Sequence, residues 1–140
     1  MMSNQWIDPK SCQSLAVLVE TVTAPMLIQH AAPICLEMDV ATSMGIPADP
    51  TQIAELIRTL VAQALAEMPS GGDLTIKARE TAAGVELEIA DSGCDLSERA
   101  TRIPMVASKI GASLDWQKHS QGGAVVKIVF RRGVSDRMAA

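Results

Sequence analysis

The sequence predicts an α/β fold, a two-layer sandwich with three helices on one face of a mixed, mainly antiparallel sheet. Two kinds of pattern carry this prediction. The middle of the chain has the three-and-four spacing of a buried helix face, and five segments have the alternation or the apolar run of strands. They follow one another as helix, strand, helix, two strands, helix and two strands, an order that packs helices against a sheet around one core.

The central helix has the clearest limits. Asp49 is a good N-cap, Pro50 suits the first helical position and Gln52 completes a capping box. Pro69 and Gly71 follow the last periodic residue and end the helix. The apolar positions form one continuous buried face: Ile53, Leu56, Ile57, Leu60, Val61, Ala64, Leu65 and Met68.

Beside this face, Thr59, Gln63 and Glu67 are each four residues apart and therefore lie along one line of the helix. We expect any chemistry on the central helix to use this line.

Ahead of the central helix we expect one helix and one strand. Asp8-Pro9 opens the helical segment, and Pro25 falls inside it, so the helix either kinks or restarts there. Residues 34–40 alternate as a strand with one covered face. The predicted inner face of the first helix is Leu15, Leu18, Val22, Met26 and Ile28.

Behind the central helix the pattern changes to strands. Residues 74–79 and 85–89 form an antiparallel hairpin, with outward basic side chains opposite outward acidic ones. Two further strands lie around residues 114–116 and 124–130, with a tight turn at Gly122-Gly123 between them. A short helix ended by Gly111 precedes them, and its apolar residues are Ile103, Met105, Val106 and Ile110.

Composition excludes several classes of protein. The net charge of −4 and the pI near 5.1 argue against a nucleic-acid binder, and no apolar run reaches the length of a membrane span. Three scattered cysteines predict neither a disulfide framework nor a zinc site. We therefore expect a cytoplasmic protein with a polar lead at residues 1–10, one domain at 11–132 and a disordered tail at 133–140.

Three stretches together carry a resemblance to a known family. They read ADPTQIAELIRTLVAQALAEMPSGGDLTI, EIADSGCDL and MVASKIGASLDWQKHSQGGAVVKIVF. From about Cys12 to Arg132 the chain resembles the catalytic, ATP-binding domain of sensor histidine kinases, in the GHKL (Bergerat) superfamily shared with gyrase and the heat-shock chaperones. The first stretch resembles the N-box helix, the second the first glycine box, and the third the closing helix and strands.

The resemblance implies a nucleotide site. Asp91 matches the carboxylate that accepts a hydrogen bond from the adenine amino group, and Gly93 matches the glycine that lets the base approach. Gln63 stands where the family has the asparagine that binds magnesium, and Thr59 stands where hydrolysing relatives have a general base. Asp91 also suits a plain strand-end turn, and Gln63 a solvated helix flank.

Other positions depart from the family. Asp95 replaces the second glycine of the box and adds negative charge beside the triphosphate, while Gly123 belongs to the implied nucleotide contacts. Residues 96–102 replace a lid and a second glycine box. Within them, Arg99 and Arg102 are candidates for phosphate contacts, with a solvated helix start as the favoured alternative. We expect a shallow cleft, open on one side, between the helix line and residues 91–95.

These features imply a degenerate histidine-kinase-type ATPase domain, with no catalytic residues of its own, that acts in two-component or related signalling through an unknown protein partner. Binding of ATP and magnesium is expected to be weak or absent. Two alternatives remain open. One is a working ATP-binding domain or kinase that acts in trans, as anti-sigma-factor kinases do, and the other is a phosphotransfer adaptor that keeps only the fold.

Overall fold

The computed structural model describes residues 8–99, 101–119 and 122–131, and these residues form three α-helices and one five-stranded sheet. Short 3-10 turns lie at Pro9–Ser11 and Leu96–Glu98. The predicted fold class is confirmed. The helices are α1 (Leu15–Gln29), α2 (Pro50–Ala66) and α3 (Met105–Lys109), and the strands are β1 (Ile34–Asp39), β2 (Gly72–Thr81), β3 (Gly84–Asp91), β4 (Ala112–Lys118) and β5 (Ala124–Arg131).

The sheet has the order β1-β2-β3-β5-β4, with β1 parallel to β2 and the other pairs antiparallel. Its inner face packs on the helices through fully buried side chains such as Leu74, Leu87 and Ile128. The outer face is polar. There Arg79 Nε donates to Glu86 Oε1 at 3.0 Å, the cross-strand charge pairing that the hairpin pattern predicted.

Helix α2 begins where its cap predicts. The Asp49 carboxylate accepts the backbone N–H of Gln52 at 3.0 Å, and Pro50 is the first helical residue. The helix ends at Ala66, although Met68 remains buried beyond it. Gly71 then turns the chain at a φ of 98°, and a Cβ there would lie 2.6 Å from the carbonyl oxygen of Pro33. A glycine is therefore required at this turn.

The prediction for the start of α1 was wrong. Asp8 caps the Pro9–Ser11 turn, and the helix begins at Leu15 with Ser14 as its N-cap. Pro25 lies inside a continuous helix. Ile28 is 83% exposed rather than buried, because at about 100° per residue it lies roughly 220° around the helix from Leu15.

Helix α3 also differs from its predicted inner face. Ile103 and Met105 are 67% and 81% exposed, whereas Val106 and Ala107 are buried. The helix has five residues and begins at Met105, so Ile103 precedes it and does not belong to its helical face. Only about one helical turn packs on the core. Gly111 follows the helix at a φ of 67°, as predicted.

The ends of the chain fall mostly outside the described residues. Residues 1–7 of the predicted polar lead and all of the predicted tail, 133–140, lie there, so those two predictions stay predictions. In the part of the chain that the structure describes, no helix has the length and apolar character to span a membrane.

Candidate functional site

The candidate site lies where β3 ends beside the C-terminal half of α2. Asp91 is the last residue of β3 and pairs with Leu74 of β2 and Ala124 of β5. Side chains alternate along a strand, so Asp91 points to the same side as the buried Leu87 and Ile89, toward the helix layer. The strand register therefore places a carboxylate in the interior of the protein.

This carboxylate forms an ion pair with Arg99. Arg99 Nη1 donates to Asp91 Oδ2 and Nη2 donates to Asp91 Oδ1, both at 2.8 Å, and each side chain is 3% exposed. Arg99 Nη2 also donates to the carbonyl oxygen of Cys94. By hydrogen bonding to the charged form, Asp91 raises the pKa of the Arg99 guanidinium. The pair is a buried, bidentate, charge-assisted contact, and hydrogen bonds of this type are among the strongest in proteins.

The loop after β3 packs tightly against the end of α2. The backbone N–H of Gly93 donates to Asp91 Oδ1 at 2.9 Å. A Cβ on Gly93 would lie 2.5 Å from the carbonyl oxygen of Glu67, so the residue must be a glycine for the loop to approach the helix this closely. Cys94 Sγ donates to Glu67 Oε1 at 2.8 Å. That hydrogen bond, together with burial and the carboxylate charge, raises the pKa of the Cys94 thiol.

We call residues 92–99 and 101–104 the connecting segment, because they join β3 to α3. A second contact holds its far end to α2, where Gln63 Nε2 donates to the carbonyl oxygen of Arg102 at 3.3 Å. The segment is thus bonded to Gln63 of α2, to Glu67 immediately after α2, and to Asp91 of β3. These contacts occupy the region in which the sequence predicted a nucleotide.

The structure brings together some of the predicted site residues and separates others. Gln63, Gly93 and Asp91 all contact the connecting segment or belong to it. Gly123 packs behind Asp91, and a Cβ there would overlap the Asp91 carbonyl oxygen. Thr59 donates its hydroxyl to Glu55 O within α2, at 2.9 Å. Asp95 and Arg102 have exposed side chains, with Asp95 at the cap of the Leu96–Glu98 turn.

Two expectations are corrected here. Arg99 is not part of a solvated helix start, because its guanidinium is buried against Asp91. Nor is the predicted cleft free at Asp91, because the Arg99 guanidinium lies between that carboxylate and the Cys94 carbonyl oxygen. The physical reason is the same for both corrections: a carboxylate buried at the end of β3 needs a cationic partner, and Arg99 is close enough along the chain to supply one.

The side chains as arranged do not fit a bound nucleotide. Asp91 accepts three hydrogen bonds from within the chain and is 3% exposed, so no outside amino group reaches it. The Gln63 amide is turned toward a backbone carbonyl.

A separate hollow of about 540 Å³ lies on the outer face of the sheet. Charged side chains line it, among them Glu37, Asp73, Lys77 and Glu88. Asp91 and Ser92 contribute to its lining where β3 ends, whereas no residue of α2 does. The hollow is therefore not the cleft that was predicted between the helix line and residues 91–95.

Comparison with known proteins places this geometry in a fold family. No protein-family model and no curated protein sequence matches the chain. Solved structures do. The catalytic domain of the histidine kinase ThkA matches with a TM-score of 0.66 and 16% identity, covering 85% of this chain and 92% of its own. The mycobacterial sensor histidine kinase MprB matches with a TM-score of 0.68 and 17% identity, covering 84% and 95%.

The histidine kinase AdeS of Acinetobacter baumannii is similar over 86% of this chain and 66% of the longer AdeS chain, with a TM-score of 0.68 and 16% identity. The protein therefore has the fold of histidine kinase catalytic domains, as the resemblance implied.

The partner of Asp91 was not predicted from the sequence. A signal was present: Asp91 ends an alternating strand on its buried side, and a buried carboxylate requires a partner. Arg99 and Arg102 were the nearest cations along the chain. Spacing could not decide between them, because residues 92–104 have no regular period.

Proposed function

We propose that this protein is a degenerate histidine-kinase-type ATPase domain that acts in signalling through protein contacts, with ATP binding weakened or lost. The observation that carries the proposal is the buried Asp91–Arg99 pair. On the family resemblance, Asp91 is the residue that would read adenine. Here its carboxylate is already satisfied by the chain itself.

Other features support the same proposal. Residues 96–102 are too few to fold over a triphosphate, since seven residues span at most about 23 Å when fully extended. Thr59, which stands where hydrolysing relatives have a general base, cannot accept a proton from water at neutral pH. Ile103 and Met105, which follow Arg99 along the chain, are exposed, and we propose that they belong to the surface that meets the partner.

Thermal melting with and without ATP and magnesium tests the proposal. A ligand present at 100 times its Kd adds about 2.7 kcal/mol, which would raise Tm by several degrees for a domain of this size. We expect no change in Tm at millimolar ATP. A related histidine kinase domain that binds ATP, melted in the same buffer, is the positive control. A saturable rise in Tm for this protein would favour the alternative of a working nucleotide-binding domain.

A second experiment addresses catalysis. After incubation with radiolabelled ATP and magnesium, we expect neither phosphate retained on the protein nor phosphate released to solution. Label transferred to a co-purified partner protein would support a kinase acting in trans and would contradict the proposal.

A further inference from the structure

The Asp91–Arg99 contact is more than a charge pair. Two parallel hydrogen bonds run from the two Nη atoms to the two carboxylate oxygens, and the Gly93 N–H holds one of those oxygens from the loop side. A carboxylate fixed in this way recognises any planar group that presents two parallel N–H donors.

The fit of Arg99 in this place is incomplete. Its Nε is buried and has no hydrogen-bond partner among the described residues. A buried donor without an acceptor is unfavourable, so the surroundings use two of the three nitrogens of the guanidinium. The site therefore binds the two Nη atoms of the guanidinium and offers no acceptor to its Nε.

We propose that Arg99 is an internal ligand: it fills, from within the chain, a carboxylate-floored site for a planar cation with two parallel donors, and it excludes outside ligands of the guanidinium and amidine class. The proposal deepens the proposed function, because it identifies the group that closes the site. It would hold even if ATP bound elsewhere on the molecule.

The internal ligand has a structural consequence. Arg99 joins the end of β3 to the connecting segment through Asp91 and the Cys94 carbonyl, while Cys94 and Arg102 carry bonds to α2. Binding of the Arg99 guanidinium to Asp91 therefore holds the connecting segment against both α2 and β3. Removing the guanidinium should leave an empty, polar, ligand-sized space with the carboxylate at its floor.

Chemical rescue of Arg99→Ala tests this directly. Ethylguanidine matches the atoms that the substitution removes, and ethylammonium carries the same charge without the two-pronged donor. A compound this small should bind with Kd in the millimolar range. At about 20 mM we expect ethylguanidine to raise the Tm of the variant by roughly 2–5 °C and ethylammonium to leave it unchanged.

Two control variants make the readout specific. Arg102→Ala removes an exposed arginine of the same segment and should not respond to ethylguanidine. Arg99→Ala combined with Asp91→Asn keeps the empty space but removes the charged acceptor, and it should lose the response. If Arg99→Ala alone does not fold, refolding it with ethylguanidine should restore its circular dichroism. Absence of rescue in both formats would overturn the proposal, as would equal rescue by ethylammonium.

Butyramidine tests the two-donor geometry. It has a methylene where ethylguanidine has the N–H that corresponds to Nε. Because that N–H has no acceptor, we expect butyramidine to bind Arg99→Ala at least as tightly, as measured by titration calorimetry. An ethylguanidine affinity greater by about tenfold would show that the third N–H is bonded and would overturn the assigned geometry.

The result is separable from that of the ATP experiment. Rescue of Arg99→Ala concerns the site beneath the guanidinium, whereas melting of the unmodified protein with ATP concerns the proposed function. A rise in Tm with ATP in the unmodified protein together with rescue of the variant would reject the function and keep the internal ligand.

Discussion

A buried ion pair gains little over a well-packed apolar pair, because both charges lose their hydration. Removing one partner is different, since the other charge stays buried without compensation. Asp91 and Arg99, each 3% exposed, are in this situation. The pair therefore adds little net stability, but the loss of either residue alone destabilises the protein.

We predict that Asp91→Ala lowers the free energy of unfolding by about 3–5 kcal/mol, because it strands the Arg99 guanidinium in the interior. Urea unfolding followed by circular dichroism measures this change. Asp95→Ala is the matched control, as it removes an exposed carboxylate from the same loop and should change stability by less than about 0.5 kcal/mol. Equal effects of the two substitutions would show that the pair does not exist in solution.

The cysteines offer a second test at this scale. Cys35 is exposed, whereas Cys94 donates to Glu67 and has a raised pKa. The thiolate is the reactive form, so iodoacetamide at pH 8 should modify Cys35 well before Cys94. Peptide mass spectrometry at timed intervals follows both residues.

Glu67→Gln should speed the modification of Cys94, because it removes the carboxylate whose hydrogen bond and charge raise the thiol pKa, and it should leave Cys35 unchanged. Modification of Cys94 as fast as Cys35 in the unmodified protein would contradict the Glu67 contact.

At the scale of elements, the turn that leads into β5 supports the site from behind. Gly122 and Gly123 both have positive φ, 96° and 90°. They differ in their surroundings: a Cβ on Gly122 would meet no atom within 4 Å, whereas one on Gly123 would overlap the Asp91 carbonyl oxygen. Alanine substitutions at these two glycines therefore separate the effect of backbone strain from that of steric contact.

We expect Gly122→Ala to lower the free energy of unfolding by about 1–3 kcal/mol through backbone strain alone. Gly123→Ala should cost at least about 2 kcal/mol more, because β5 must also move away from Asp91. Denaturant unfolding of the two variants gives the difference. Equal costs would mean that β5 does not approach the end of β3 as closely as described.

At the scale of the whole molecule, one core joins the helices to the sheet. Ile57 of α2 is fully buried, and Arg58 beside it on the same helix is exposed. We predict that Ile57→Ala lowers the free energy of unfolding by about 2–5 kcal/mol, and that Arg58→Ala changes it by less than about 0.5 kcal/mol. Urea titration measures both. A small effect at Ile57 would indicate that α2 does not pack on the sheet.

Local signals predicted much of this architecture. The Asp49 cap, the alternation of β1 and the hairpin of β2 and β3 were all correctly predicted, since each depends on residues a few positions apart. A local signal also misled. The Asp8 carboxylate does accept the N–H of Lys10, but it caps a single 3-10 turn. Helix α1 begins only at Leu15, with Ser14 as its N-cap.

Burial was harder to predict where an element has apolar residues on several sides. Ile28, Ile103 and Met105 are as apolar as the core residues, yet they are exposed because no part of the described chain covers them. Which side of α1 or α3 faces the core depends on where the sheet lies, and the apolar pattern of those helices does not contain that information.

The sequence by itself determined the elements, their order and the two-layer class, because caps and periodicities act between residues within about four positions of one another. It also placed Asp91 and Glu67 at the walls of one site through the family resemblance. Only the tertiary structure decided what fills that site. Asp91 meets Arg99 because residues 92–99, which have no regular period, fold back toward the end of β3. The buried carboxylate needs a cationic partner, and Arg99 is the cation that reaches it in three dimensions.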